Sequence, residues 1–370
     1  MTEVDGSTPQ VPTPPTPAAP RTRRLIRRSS FTIGDLEVKA GRSAIGDLPI
    51  SRLVTGTQIS LPINVFHGRD DGPIVWLSAA VHGDEIGGVE IIRRALGSID
   101  PRALSGTIVA VPIVNIHGFL NGDRYLPDRR DLNRSFPGSA NGSLAARVAN
   151  LFMTEIVSRC EVGIDLHTGS DHRTNLPQIR ADLDDPTTRE LAIAFGAPLM
   201  MHSELRDGSM RAAATATGST VLLYEGGEAW RYDRAAIEAG TVGIRRIITR
   251  LGMVDADEES DPDAAPTPVE TRSSAWVRAR RSGIALLDVE LGQMVERGET
   301  VATVRDSVGR RLSTARSPRT GMVIGHIQQP LVNQGDAIIH VAEIVPTTTP
   351  ATADGRAAGE QPSDSARETP

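Results

Sequence analysis

Two histidines and a glutamate stand where apolar segments of this chain end. His82 and Glu85 lie three positions apart at the end of the run Ile74-Val75-Trp76-Leu77-Ser78-Ala79-Ala80-Val81. An imidazole and a carboxylate at that spacing can turn toward one point, and nitrogen plus oxygen ligands at one point suit zinc. The pair alone carries little weight, because chance supplies about 0.4 such pairs in a chain of this length. A second apolar run, Val162-Gly163-Ile164-Asp165-Leu166, ends on His167. Two strand ends delivering His82, Glu85 and His167 would complete a three-ligand catalytic site with one coordination position left for water.

Other residues could complete the chemistry. Glu225 ends the apolar run Val221-Leu222-Leu223-Tyr224 and precedes two glycines, which places a carboxylate where it can act as a base with room for substrate. Glu228 competes for that role. The loop Asp131-Leu132-Asn133-Arg134-Ser135-Phe136-Pro137-Gly138 is rich in directional donors. There Arg134 can grip a carboxylate through two parallel hydrogen bonds, with the Asn133 amide beside it. Arg124, Arg129 and Arg130 lie just upstream, and one of them could stabilise a developing oxyanion. His172, five residues after His167, is a candidate substrate contact. His117 and His202 are weaker candidates, and His67, His326 and His340 read as structural or exposed. The stretch Gly83-Asp84-Glu85-Ile86-Gly87-Gly88 lacks the spacing and the lysine of a phosphate loop.

These residues need a scaffold. Strand patterns occupy 58–66, 73–80, 106–114, 162–166, 197–201 and 219–225, alternating with helical patterns at 87–96, 142–159, 185–196, 210–217 and 232–251. The last helix has apolar spacing from Ala236 to Leu251 and a glycine, Gly252, placed to end it. Strands alternating with helices predict an α/β domain with a parallel or mixed sheet. Ligands in such sheets bind beyond the carboxyl ends of the strands, where His82, His167 and Glu225 all fall. The organisation expected is a Pro-rich, basic disordered tail (1–29), a catalytic domain (30–254), an acidic linker (255–271), a β module (272–345) of short strands with turn signals, and a disordered tail (346–370).

Composition narrows the function classes. A net charge of −6 gives no footprint for nucleic acid. No apolar run is long enough to span a bilayer, so no membrane association is expected. The single cysteine, Cys160, excludes an intrachain disulfide and a cysteine zinc site, and the cytoplasm is the expected compartment.

The motifs HGDE (82–85), DLNRSFPG (131–138), DLHTG (165–169) and YEGG (224–227) occur in that order. Together they resemble the succinylglutamate desuccinylase/aspartoacylase family, relatives of the zinc carboxypeptidases. The resemblance spans about 50–345. It implies a zinc-carboxypeptidase-like mixed sheet with flanking helices, and one Zn2+ per chain on His82, Glu85 and His167. It matches Glu225 to the general base and acid, and Asn133 with Arg134 to the pair holding the substrate carboxylate. The oxyanion-stabilising arginine would be Arg124 or Arg129. The β module resembles the lipoyl/biotinyl-like barrel of bacterial members. Lys39 is the only lysine, so the module carries no lipoyl or biotinyl group and reads as a lid or a homo-oligomer contact. Aspartoacylase proper places a C-terminal-domain tyrosine in its site. The tyrosines here are Tyr125, Tyr224 and Tyr232, and none belongs to the module.

The expected activity is zinc-dependent hydrolysis of the amide bond of a small N-acyl amino acid. The competing readings are a metallocarboxypeptidase on peptides or cell-wall fragments, an esterase, and a non-catalytic binding protein.

Overall fold

A computed structural model of the chain describes residues 28–170, 172–258 and 260–344. In chain order the first elements are β1 (Phe31–Ile33), β2 (Leu36–Val38), β3 (Arg42–Arg52), β4 (Gln58–His67), β5 (Asp70–Ala79), α1 (Gly87–Gly97), β6 (Ser105–Val111), α2 (Ile116–Asn121) and α3 (Leu144–Glu155). There follow β7 (Val162–Gly169), β8 (Arg173–Ala181), α4 (Pro186–Phe195), β9 (Leu199–His202), α5 (Met210–Ala216), β10 (Thr220–Glu228) and α6 (Arg234–Arg250). The predicted strands and helices are all present. β1, β2, β3, β8 and α2 are additional.

The centre of the sheet is four parallel strands in the order β10-β7-β5-β6, with β4 and β3 added antiparallel at one side and β8 at the other. Side chains alternate across it, as a pleated backbone requires. Val75, Leu77, Ala79, Ile164, Leu166, Leu222 and Tyr224 face one core, which α1, α4 and α6 cover. Trp76 and Val221 face the other, covered by α3 and α5. Asp165, His167 and Glu225 share this second face, because they alternate with the first set. The period-2 pattern thus puts the chemistry on one side of the sheet.

Local chemistry starts and stops the helices. Ser143, Asp185, Ser209 and Asp233 cap the N-termini of α3, α4, α5 and α6 with their side-chain oxygens, each satisfying a backbone N–H that the helix leaves free. Gly252, as its position predicts, ends α6 in the left-handed region at φ +68, and Met253 N–H bonds back to the Ile248 carbonyl at 3.0 Å.

After α6 the described chain is a 3-10 turn and strands: β11 (Val269–Thr271), β12 (Ser274–Arg278), β13 (Gly283–Leu287), β14 (Met294–Val295), β15 (Thr300–Arg305), β16 (Arg311–Arg316), β17 (Gly321–Ile327), β18 (Leu331–Val332) and β19 (Ala337–Glu343). β16-β15-β13-β18 form a separate sheet over a core of valines and isoleucines. β17, β19 and β12 instead continue the main sheet through β8, so that among the described residues it has 13 strands. β11 lies in the segment expected as linker and pairs with β9. The tails expected at 1–29 and 346–370 fall outside the described residues except for Arg28 and Ser29. Arg28 donates to the Gly106 carbonyl at 2.7 Å, and the Ser29 carbonyl lies 2.8 Å from His67 Nε2.

Gly163 marks how closely β5 and β7 are packed. A Cβ there would lie 2.0 Å from the Trp76 indole, whose side chain is fully buried. Overpacking of this kind costs about 1–3 kcal/mol. Gly163→Ala is therefore expected to lower the denaturant midpoint by that order, with the m-value unchanged. An unchanged midpoint would mean that the indole can move.

Candidate metal centre and active site

β5 ends in a strained corner. Ala80 takes φ +48, a conformation L-residues adopt only when their surroundings compel it, and it turns the chain into the loop carrying His82 and Glu85. Gly83 lets that loop press against α2: a Cβ there would lie 2.0 Å from the Gly118 carbonyl carbon. β7 runs parallel to β5 and delivers His167 to the same end of the sheet.

The structure brings the three candidate ligands together. Glu85 Oε1 lies 2.8 Å from His82 Nδ1, and Glu85 Oε2 lies 2.8 Å from His167 Nδ1. All three side chains are buried, and one ligand atom from each falls within 4.8 Å of the others. The opposite ring nitrogens are also held: His82 Nε2 is 3.2 Å from Asp131 Oδ1, and His167 Nε2 is 2.8 Å from Asp165 Oδ2. Ser78 Oγ donates to Asp165 Oδ1 at 2.6 Å, and Thr168 N–H donates to Glu85 Oε2 at 3.1 Å. A carboxylate on the far nitrogen fixes the tautomer of a ligating histidine and raises its basicity.

This arrangement fits a divalent cation. With both Nε2 atoms facing aspartates, both Nδ1 lone pairs face the Glu85 carboxylate, and such a cluster is stable only with positive charge inside it. Protons can supply that charge. Burial opposes protonation of His167, but Asp165 and Glu85 outweigh it and hold the imidazolium well above the usual histidine range. Burial would likewise raise the Glu85 carboxyl, yet the two imidazoles overcome it and hold it well below the usual carboxylate range. Two nitrogens, one carboxylate and room for a fourth ligand make a donor set suited to zinc.

Beside the cluster is a pocket of about 260 Å³. Glu225 lies directly across from His167 on β10 and lines the pocket, as do Arg124, Asn133 and Arg134. Asn133 Oδ1 accepts from the Met210 N–H at 2.9 Å, which leaves its NH2 group to face a ligand. Arg124 reaches Glu85 Oε1 at 3.3 Å and Asp131 Oδ2 at 3.1 Å. Glu228 does not line the pocket and pairs with Arg231 at 3.2 Å.

Two expected site residues lie elsewhere. Arg129 is exposed, at φ +60, in a tight turn where its N–H bonds to the Leu126 carbonyl at 2.8 Å. That turn carries it away from the pocket, leaving Arg124 as the arginine beside Glu85. His172 is also exposed, at φ +57, and its carbonyl accepts from Gln328 N–H at 2.7 Å. Its backbone is tied to the C-terminal strands, so its place in the wall is taken by Arg173.

Other wall residues escaped the sequence reading. Arg180, Arg206 and Arg211 join Arg124, Arg134 and Arg173, giving walls of strongly positive character. Arg211 is 6 % exposed and donates to the Ser203 and Glu204 carbonyls at 2.9 and 2.8 Å. Burial, with Arg180 and Arg206 nearby, pushes its pKa down to about 10, so it stays charged at neutral pH. Trp276, from β12, lines the pocket. Its ring stacks on His340 at 4.3 Å and lies under the Arg173 guanidinium at 5.5 Å. Burial and Arg180 lower the His340 pKa to about 3, so the stacked imidazole is neutral.

Asp165→Asn is expected to weaken zinc binding 10- to 100-fold, and His82→Ala to abolish stoichiometric binding. Competition with a chromogenic chelator measures both. Wild-type affinity in either variant would contradict the ligand set.

Comparison with known proteins follows the same outline. Residues 71–251 match the family described as succinylglutamate desuccinylase/aspartoacylase catalytic domain. The chain is 27% identical over 323 residues to an N-alpha-acetyl-L-2,4-diaminobutyric acid deacetylase of Halomonas elongata, covering 84% of this chain and 94% of that protein. Among solved structures, a succinylglutamate desuccinylase/aspartoacylase from Rhodobacter sphaeroides superposes with TM-score 0.73 at 25% identity, covering 86% of this chain and 97% of that one. The product-bound ectoine utilization protein of Ruegeria pomeroyi superposes with TM-score 0.73 at 22% identity over 87% and 97% of the two chains, a likeness of fold.

Proposed function

We propose that this chain, whose residues 71–251 match the succinylglutamate desuccinylase/aspartoacylase catalytic domain, is a zinc-dependent hydrolase cleaving the amide bond of a small N-acyl amino acid. The observation carrying the reading is the convergence of His82, Glu85 and His167 on one wall of a pocket that also presents the separate carboxylate of Glu225. The deacetylase of Halomonas elongata, by its name, acts on an N-acetyl amino acid, which supports the same bond type here.

His82 Nδ1, the Glu85 carboxylate and His167 Nδ1 would hold the ion. When bound, zinc supplies Lewis acidity that brings the pKa of a water to about 7. Glu225 takes a proton from the attacking water as its oxygen adds to the acyl carbon. It then delivers that proton to the amide nitrogen as the C–N bond breaks, giving a carboxylic acid and an amine, and the acid's proton passes to the amine to leave a carboxylate and an ammonium. Arg124 offers its guanidinium to the negative charge developing on the acyl oxygen, and loss of one such donor costs roughly 3–4 kcal/mol of transition-state stabilisation. Asn133 and Arg134 hold a free substrate carboxylate, with Arg134 able to do so through two bonds. The arginines on the remaining walls favour an anionic substrate.

A pocket of about 260 Å³ suits a small molecule better than a polypeptide. Glu225→Gln is expected to retain zinc at the wild-type ratio while turnover falls about 10²- to 10⁴-fold. Elemental analysis beside an assay with N-acetyl, N-succinyl and N-formyl amino acids checks both parts. Full turnover in the variant would sink the role of Glu225. No turnover of any N-acyl amino acid by wild-type enzyme, with peptides cleaved instead, would replace the deacylase reading with a carboxypeptidase.

A further inference from the structure

We propose that Asn175 is a positioning residue for Glu225 and that Gly325, in the C-terminal strands, builds its seat; this rests on reading Glu225 as the base. Asn175 Nδ2 donates to Glu225 Oε2 at 2.8 Å. Among the described residues, the other carboxylate oxygen has the longer Arg180 contact, at 3.5 Å. The amide is therefore the short, directional restraint on the carboxylate, and a hydrogen bond to a charged acceptor is among the stronger ones available. Asn175 is 7% exposed, so losing this contact would leave a buried amide donor without a partner.

A defect in strand alternation brings Asn175 to this face. Glu225 pairs with Gln178, but Gly227, two residues on, pairs with Asn175, three residues back. β8 thus carries one extra residue there, across Leu176 and Pro177. Strict alternation from Gln178 would send Asn175 to the opposite face, and the bulge returns it to the pocket. Proline fits a bulge because it has no N–H to give to the ladder.

The seat comes from the other edge of β8. Asn175 lies directly opposite Gly325 of β17. A Cβ on Gly325 would stand 2.8 Å from Asn175 Oδ1, 3.3 Å from the Thr174 carbonyl and 3.6 Å from His340 Cβ. The amide oxygen therefore occupies space that a side chain at 325 would need. The same row continues from Gly325 to His340 and on to Trp276, which lines the pocket. A cross-sheet line of paired residues, Asn175, Gly325, His340 and Trp276, thus joins the restraint on the base to a substrate wall, and all of that line but Asn175 belongs to the C-terminal strands. Those strands are part of the catalytic unit.

The test uses full-length, zinc-loaded enzyme. Asn175→Ala is expected to lower kcat 10- to 100-fold with KM within twofold and zinc content unchanged. Gly325→Ala, remote in sequence, is expected to lower kcat in the same sense by displacing the amide. The double variant is expected to be no slower than Asn175→Ala alone, since Gly325 acts only through Asn175. Multiplying losses in the double variant, or unchanged kcat in Asn175→Ala, would overturn the proposal. A crystal structure of Gly325→Ala decides it without any substrate. The Asn175–Glu225 contact should lengthen beyond 3.5 Å, and its persistence at wild-type length would overturn the proposal. If wild-type enzyme turns over no N-acyl amino acid, the functional reading fails, and the crystallographic arm still decides the positioning claim.

Discussion

One buried carboxylate organises this molecule's chemistry. Glu85 spans two imidazoles from two strand ends, 2.8 Å on either side, with 2% of its surface exposed. Taking a carboxylate out of water is costly unless it is paired and hydrogen-bonded. Here the compensation comes from His82, His167, Arg124 and the Thr168 N–H. Two further buried or half-buried acids, Asp165 and Asp131, stand behind the imidazoles. With both imidazoles neutral, as ligands must be, three carboxylates face the single guanidinium of Arg124, and a divalent cation would balance that charge. Parallel β5 and β7 make the geometry possible, because adjacent parallel strands end side by side.

The second organising feature is the continuity of the sheet. The four parallel strands place Asp165, His167 and Glu225 on one face through simple alternation. β8, β17, β19 and β12 extend that face beyond the α/β part. Trp276 lines the pocket from the far end of that extension. The all-β C-terminal strands therefore shape the site through backbone pairing.

The legible parts of the sequence were those with strong period and sharp punctuation. Apolar runs ending on His82, His167 and Glu225 marked strand ends because these central strands are buried on both faces. β8 escaped notice because its pocket face carries Arg180, Gln178 and Asn175, and Pro177 interrupts it, so its pattern reads as loop. The choice between Arg124 and Arg129 was equally hidden, since it depends on the turn from Leu126 to Arg130, which points one guanidinium inward and the other to solvent. Asp131 and Asp165 lay inside quoted motifs. Their place behind the imidazoles emerged only with the fold, because His82 and Asp131 are 49 residues apart.

The central claim is that His82, Glu85 and His167 share one cation. Anomalous diffraction at the zinc edge, from crystals grown with zinc, tests it most directly. The account predicts one dominant peak per chain, bonded to His82 Nδ1, the Glu85 carboxylate and His167 Nδ1 at about 2.0–2.2 Å. A peak only at the surface group Asp182, Asp184 and His202, or none at zinc concentrations that saturate binding, would contradict it.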